Sequence, residues 1–226
     1  MILTRPTSAR ARAAEAARRT HDVLVACVGI AALAPVWAAI AAAIVADSDG
    51  PVLFLQERVG RNGTLFQIHK FRTMCYCAGG PGVAAFGDTR VTRVGRFLRA
   101  SKLDETPQLL DVLRGDMSLV GPRPELPQYV ALWPEEQRAR ILSVRPGITD
   151  PVSVALRDEA VMLANCDEPE RTYIEQLLSS KARGYAEYVA CRSILGDLRI
   201  LTATVFAVVQ RPHEVAAATP ASSPNG

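Results

Sequence analysis

RFLRASKLDETPQLLDVLRGDMSLVGPRPE, residues 96–125, carries the densest set of structural and chemical signals in the chain. It sets an adjacent acid pair, Asp104 and Glu105, between basic side chains on both sides. A divalent cation such as Mg²⁺ prefers carboxylate oxygens and often shares its site with phosphates, whose remaining charge guanidinium groups can match. Helix capping is the competing explanation, because Thr106 followed by Pro107 is typical of a helix start. The flanking basic residues are Arg96, Arg99, Lys102, Arg114 and Arg123.

An uncharged segment of 24 residues, VLVACVGIAALAPVWAAIAAAIVA, lies N-terminal to this stretch at residues 23–46. About 20 apolar residues span a bilayer as a helix, and signal-peptide cores are shorter, at ~7–15 residues. Pro35, preceded by Ala34, lies at the centre of the segment, where it must kink or break a helix. Basic residues flank both ends, so the residues alone support a spanning helix and a re-entrant helical hairpin equally.

The length, charge and cysteine content of the chain limit the classes of function that are compatible with it. A length of 226 residues fits one main domain with its own core, and a net charge of +3 is too small to indicate nucleic-acid binding. The arginines within residues 1–20 suit an anionic lipid surface. Five cysteines without framework spacing indicate reduced thiols, and the Cys75-x-Cys77 pair lacks the further ligands of a zinc site.

Two short apolar runs after the membrane segment, residues 51–56 and 64–68, predict strands. The Asn62-Gly63 step between them is a strong hairpin signal, because both residues tolerate positive φ. A β-hairpin is therefore expected here. The following HKFRTM, residues 69–74, alternates basic and apolar side chains along the strand.

Three further segments have clear expectations. The Gly-rich residues 75–87 predict a mobile lid or access loop, without the signature of a nucleotide-binding P-loop. Residues 185–209 predict a helix suited to an interfacial amphipathic role. Residues 211–226, rich in Pro, Ser and Ala, predict a disordered tail.

Taken together, the motifs resemble those of the bacterial sugar transferase family, the monotopic polyprenyl-phosphate phosphoglycosyl transferases. The resemblance covers about residues 20–209, and it is specific because several unrelated motifs occur in one order. After the apolar segment these are DGPVLFLQERVGRNG, KFRTM, DTRVTRVGRFLRASKLDETPQLLDVLRGDMSLVGPRPE, RPGIT and YAEYV.

The resemblance implies an α+β fold, mostly helical. An N-terminal re-entrant membrane helical hairpin would precede a cytoplasmic catalytic domain with a small β-hairpin and interfacial helices. The expected division is a basic tail (1–20), the re-entrant helix (21–47), the transferase domain (48–210) and the disordered tail (211–226). The implied location is the lipid bilayer of the bacterial inner membrane, with the catalytic domain on the cytoplasmic face. Homodimer formation is left open.

The resemblance also implies the reaction. A sugar 1-phosphate would pass from a nucleoside diphosphate sugar, usually a UDP-sugar, to a polyprenyl phosphate such as undecaprenyl phosphate, with release of UMP. Asp104 matches the nucleophile that forms a covalent phosphosugar enzyme, and Glu105 matches its acid partner, with Mg²⁺ bound by the pair. This would be the first membrane step in the biosynthesis of a glycan such as an exopolysaccharide, lipopolysaccharide or glycoprotein. Phosphate or nucleotide contact is implied for Lys70, Arg99 and Arg123, and more weakly for Arg145.

The chain departs from the family pattern at two positions. Ala34 precedes the proline where Ser is common, and Asp150 follows GIT where Gly is common. Two alternatives to the transferase stay open at this stage: a non-catalytic membrane scaffold that recruits glycan enzymes, and a phosphohydrolase that uses the same acid pair.

Overall fold

The protein was analysed as a computed structural model, which describes residues 9–76, 88–156, 166 and 168–209. Most of the predicted Gly-rich loop (77–87) and all of the predicted tail (211–226) lie outside the described residues.

The described chain is an α+β fold that is mostly helical, as predicted. The helices are α1 (Ala9–Asp47), α2 (Arg93–Ser101), α3 (Gln108–Arg114), α4 (Pro127–Ala131), α5 (Glu135–Ile141), α6 (Pro151–Ala155), α7 (Pro169–Thr172), α8 (Leu178–Cys191) and α9 (Ile194–Val209). The strands are β1 (Leu53–Val59), β2 (Leu65–Phe71), β3 (Ser118–Val120) and β4 (Gly147–Thr149). Short 3₁₀ turns occupy Arg61–Gly63 and Leu103–Glu105, and a π-helical turn at Tyr173–Leu177 joins α7 to α8.

Strands β1 and β2 form the predicted antiparallel hairpin, with Leu53 opposite Phe71 and Val59 opposite Leu65. Its turn contains Asn62 at φ 58° and a glycine that also has positive φ, as the Asn-Gly step predicts. The hairpin confirms that local turn chemistry sets this part of the fold.

Strands β3 and β4 form a short parallel pair, and two glycines allow the loops at its ends to touch. A Cβ atom on Gly147 would lie 2.0 Å from the backbone nitrogen of Gly121, and one on Gly121 would lie 2.5 Å from the Arg145 carbonyl oxygen. The Gly147 N–H donates to the Pro122 carbonyl at 2.9 Å. A side chain at either position would clash with backbone atoms, so only glycine fits there. The close backbone contact and its hydrogen bond fix the loop that carries Arg123.

Three clusters of buried apolar side chains hold the domain together. The first gathers side chains from α4, α5, α8 and the π-helical turn, including Tyr129, Trp133, Ile141, Tyr173 and Tyr185. The second packs α1, β2, α3 and β3 together through Ala26, Ile68, Val112, Met117 and Leu119. The third joins α1 to β2 and α2 through Ile40, Ile44, Phe71 and Leu98. Helix α1 therefore belongs to two of the three clusters.

Helix α1 contacts the rest of the domain along its length. Directly before its apolar segment, Asp22 accepts a hydrogen bond from the backbone N–H of Leu119 at 3.3 Å. At its end Asp47 accepts one from the Val94 backbone N–H at 2.9 Å. Both ends of the apolar helix thus lie against the same domain.

The predicted helical hairpin does not occur as two separate helices. The helical assignment of α1 continues from Ala9 to Asp47 with Pro35 inside it, so residues 9–20 of the expected basic tail belong to the same helix. By length and composition Arg12–Asp47 is apolar enough to cross a membrane, and only 11% of its most apolar window is buried in the protein. Most of its apolar surface is therefore left without a protein partner in the described chain.

Candidate active site

The acid pair lies in a tight turn between α2 and α3. Lys102 ends α2 in the left-handed conformation, with φ 58° and ψ 14°, and the 3₁₀ turn containing Asp104 and Glu105 follows directly. A lysine in this conformation is uncommon, since its Cβ disfavours positive φ. The strained residue redirects the chain so that the acid pair faces β2 and the loop after β3.

Glu105 is held by two cations from distant parts of the chain. Its Oε1 lies 3.0 Å from Nζ of Lys70 on β2, and Arg123 approaches with Nη2 at 2.5 Å from Oε1 and Nη1 at 3.2 Å from Oε2. Burial opposes ionisation of Glu105, but the charges of Arg123 and Lys70 outweigh it and hold the pKa of Glu105 well below its ordinary value. Glu105 is therefore a fixed anion that anchors both cations.

Asp104 has a different environment from that of its neighbour. The residue is 9% exposed, and no hydrogen-bond donor in the described chain reaches its buried Oδ1. Burial, followed by the negative charge of Glu105, raises the pKa of Asp104, while Lys70, Lys102 and Arg99 oppose that shift. A buried carboxylate oxygen without a hydrogen-bond partner, beside several cations, is a candidate for contact with an incoming group.

Arg99 reaches the acid pair from α2. Its Nε donates to the Thr73 hydroxyl at 2.9 Å, and its charge favours the ionised form of Asp104. Helix α2 packs directly on residues 72–74, since a Cβ atom on Gly95 would lie 2.1 Å from the Thr73 carbonyl oxygen. The predicted cations Lys70, Arg99 and Arg123 thus meet around the pair.

Helix α1 also contacts this turn. Nε1 of Trp37 in α1 donates to the hydroxyl of Thr106 at 3.0 Å, and Thr106 directly follows the acid pair. The Trp37 ring packs edge-on against Phe71, with ring centroids 6.2 Å apart. Helix α1 therefore supports the backbone of the site.

Arg145 is not brought to the acid pair. Its Nε donates to the Gly115 carbonyl at 2.8 Å, and its Nη1 lies 3.0 Å from the Glu15 carboxylate of α1. Arg192 pairs with the same carboxylate at 2.6 Å. These contacts tie the start of α1 to the domain, so the side chain of Arg145 acts as a tether in this structure.

Sequence reasoning missed a polar network behind Arg123. Arg58 of β1 donates to the Pro124 carbonyl at 3.2 Å and lies 3.8 Å from the Glu125 carboxylate. Glu125 also accepts from the Tyr173 hydroxyl at 2.8 Å and pairs with Lys181 at 3.2 Å. The network braces the GPRPE loop. The one sequence feature that points to this network is that Arg58 and Glu125 belong to the family-like motifs DGPVLFLQERVGRNG and GPRPE.

Asp150, one of the two departures from the family pattern, has a structural role. Its φ of −155° is extended, so this position needs no positive φ. The Oδ1 atom accepts from the backbone N–H groups of Val152 and Ser153, each at 2.8 Å, which caps α6. The aspartate is therefore well suited to its place.

The described residues contain no group of three or more His, Cys, Asp or Glu side chains that could hold a metal ion. Both oxygens of Glu105 already face cations, whereas Oδ1 of Asp104 has no partner. The residues fit a Mg²⁺ ion that takes one protein carboxylate and completes its shell with phosphate and water oxygens. Of the predicted metal pair, Asp104 is the better placed ligand.

Comparisons with known proteins match most of the chain. The family model described as bacterial sugar transferase matches residues 13–211. A UDP-glucose:undecaprenyl-phosphate glucose-1-phosphate transferase of Caulobacter vibrioides is 42% identical over 194 residues, which is 83% of this chain and 68% of that protein. An undecaprenyl-phosphate glucose phosphotransferase of Komagataeibacter xylinus is 38% identical over 83% of this chain and 35% of its own. A UDP-N-acetylgalactosamine-undecaprenyl-phosphate N-acetylgalactosaminephosphotransferase of Aeromonas hydrophila is 44% identical over 58% of this chain and 32% of its own.

Proposed function

The chain belongs to the bacterial sugar transferase family, and from this premise we propose that it transfers a sugar 1-phosphate from a UDP-sugar to a polyprenyl phosphate, releasing UMP. The observation that carries the proposal is the buried Asp104 oxygen without a partner, set beside Lys70, Arg99 and Arg123. Undecaprenyl phosphate is the acceptor in the names of the relatives, and it is the acceptor proposed here.

In the first step an ionised oxygen of Asp104 attacks the β-phosphorus of the UDP-sugar. The bond from that phosphorus to the oxygen bridging the two phosphates breaks, and UMP leaves with the bonding electrons. The product is an aspartyl phosphosugar. A carboxylate is a weak nucleophile toward an anionic phosphate, so the cations lower the barrier by neutralising charge on the transferred group.

In the second step a phosphate oxygen of the polyprenyl phosphate attacks the same phosphorus. The bond to Asp104 breaks, which restores the carboxylate and leaves the sugar linked to the lipid through a diphosphate. Atoms and charges balance without an external oxidant or reductant. Each step is a displacement at phosphorus, so one set of cations serves both.

Glu105 contributes by orientation. It fixes Lys70 and Arg123 through its two oxygens and keeps their charges directed at the place where phosphate would bind. A bound Mg²⁺ held through Asp104 would supply further charge neutralisation on the transferred phosphate.

The proposal is tested by assaying UMP release from purified protein with Mg²⁺, undecaprenyl phosphate and a panel of UDP-sugars. The relatives name two different sugars, so the panel includes UDP-glucose and UDP-N-acetylgalactosamine. We expect UMP release with one or more donors and transfer of the sugar phosphate into the lipid phase. Sugar phosphate recovered in water would indicate a phosphohydrolase. No UMP release above an Asp104→Asn control would contradict the proposal.

We further propose that α1 enters one leaflet, bends at Pro35 and returns to the cytoplasmic face, so that both of its ends lie on the side of the domain. A spanning helix would place its two ends on opposite sides of the hydrocarbon core. Here Glu15 near one end and Asp47 at the other both contact the domain, while the apolar outer surface between them is exposed. The exposed apolar side chains of α1 include Leu24, Val25, Val28, Val36 and Val45.

Cysteine labelling in spheroplasts tests the topology. The native cysteines are replaced, and single cysteines are placed at the exposed positions Thr20, Ala34 and Asp49. A membrane-impermeant maleimide is expected to label Thr20→Cys and Asp49→Cys only after lysis, since both ends lie on the cytoplasmic side. Labelling of either end, or of Ala34→Cys, from outside intact spheroplasts would exclude the one-leaflet arrangement.

A further inference from the structure

Gln108 is a buried polar residue next to the acid pair that the mechanism above does not use. It is 1% exposed, and its Nε2 has no hydrogen-bond acceptor in the described parts of the chain. Burying an amide donor without a partner carries a desolvation penalty, which an apolar residue of the same size would avoid. An acceptor that arrives with the substrate would remove this penalty.

The backbone places Gln108 on the same side of the turn as Glu105 and about one helical turn beyond Asp104. Asp104 and Glu105 lie in the 3₁₀ turn, Thr106 and Pro107 keep right-handed helical angles, and α3 begins at Gln108. At about 100–120° per residue, Gln108 is rotated about 40–120° from Asp104 and at most about 60° from Glu105. It lies about 6–8 Å further along the axis than Asp104, which a glutamine side chain can bridge in part.

Two buried polar atoms without partners therefore belong to residues about one helical turn apart in the chain, the acceptor Oδ1 of Asp104 and the donor Nε2 of Gln108. They do not bond to each other. Glu105 is already occupied by Lys70 and Arg123, so it does not serve as the acceptor for the amide. An incoming group that satisfies both atoms needs an electrophilic centre for the carboxylate and a nearby acceptor oxygen for the amide. A phosphoryl group has both.

We propose that Nε2 of Gln108 donates a hydrogen bond to a non-bridging oxygen of the phosphoryl group that Asp104 receives. This rests on the proposed function and adds a neutral donor to the three cations. Because both buried atoms are covered in the absence of substrate, the donor phosphate must displace the covering side chains as it enters. The contact would fix the orientation of the phosphoryl group for attack.

The test uses Gln108→Met, which keeps the length of the side chain and removes its hydrogen-bonding atoms. We expect kcat/KM for the UDP-sugar to fall roughly 10- to 100-fold, the range for a hydrogen bond to a charged group. The melting temperature should stay equal or rise, because a buried donor without a partner is removed. Gln67→Met, the same change at an exposed position of β2, is the matched control and should keep full activity.

A second measurement separates contact with substrate from orientation of Asp104. Binding of UDP-glucose and UDP-N-acetylgalactosamine is measured in Asp104→Asn and in Asp104→Asn/Gln108→Met. We expect the second substitution to weaken binding of the accepted donor about 10-fold. Unchanged binding in this pair, or full activity of Gln108→Met, would overturn the inference. Absence of UMP release by the wild-type protein would instead overturn the proposed function, so the two failures are distinguishable.

Discussion

Asp104→Asn is expected to abolish the covalent phosphosugar enzyme and to lower UMP release by about 1,000-fold or more, as removal of a nucleophile does. The stability of the variant should not fall together with its activity. Because burial raises the pKa of Asp104, its ionised form at neutral pH opposes folding, and the neutral amide removes this penalty. The free energy of unfolding is therefore expected to stay equal or to increase.

Mass spectrometry of the intact protein measures the first part of this prediction. Wild-type enzyme incubated with the donor but without acceptor should gain the mass of one sugar phosphate, and the variant should not. Thermal or urea unfolding measures the second part. An Asp104→Asn protein that still gains the sugar-phosphate mass would show that another residue is the nucleophile. Asp116→Asn, at an exposed aspartate beyond α3, is the matched control and should retain the adduct.

Glu105→Gln has the second large expected effect, and it combines lost stability with lost activity. The substitution leaves Lys70 and Arg123 without their carboxylate in a site where the three side chains are 15–30% exposed. Breaking a buried ion pair costs about 3–5 kcal/mol, and partial exposure reduces this to about 2–4 kcal/mol. Activity should fall roughly 100-fold, because two phosphate-directed cations lose their fixed positions.

Urea unfolding of matched variants measures the stability change. Glu175→Gln makes the same substitution in an exposed pair with Arg171, at 2.8 Å, and should cost less than about 1 kcal/mol. Combining Glu105→Gln with Lys70→Met should recover part of the loss, since one uncompensated charge is removed. A cost for Glu105→Gln no larger than that for Glu175→Gln would refute the anchoring role.

The pH dependence of the same variants gives an independent check. Because the folded pKa of Glu105 is depressed, its stabilisation is fully present above the ordinary pKa of about 4.3. It is lost as the pH falls toward the lower folded value. The stability difference between the wild type and Glu105→Gln should therefore shrink in acid.

Some parts of this protein follow from local sequence. The Asn62-Gly63 step sets the hairpin through its positive φ angles, and the acid pair lies in the turn before α3 as expected. Lys70 and Arg123, for which the resemblance implies phosphate contact, both pair with Glu105. Each of these features could be predicted from a short motif of residues adjacent in the chain.

Other parts depended on contacts between distant residues. Arg145 lies in a Pro-Gly turn much as Arg123 does, yet its side chain pairs with Glu15, 130 positions away. Pro35 predicted a kink or break, and the helical assignment of α1 continues through it, with Trp37 two residues later donating to Thr106 of the site. A sequence pattern does not state which of several cations a carboxylate will meet, since that depends on packing.

The sequence by itself determined the family resemblance and, through it, the expected chemistry, because several unrelated motifs occur in one order, whereas the acid pair alone is also compatible with helix capping. Only the tertiary structure decided how the two carboxylates differ. Glu105 meets Lys70, 35 positions before it, and Arg123, 18 positions after it, and so becomes a fixed anion. Asp104 meets neither as a hydrogen-bond partner and keeps a free oxygen. The pKa values of these adjacent acids shift in opposite directions because burial and charge act through space and do not depend on position in the chain.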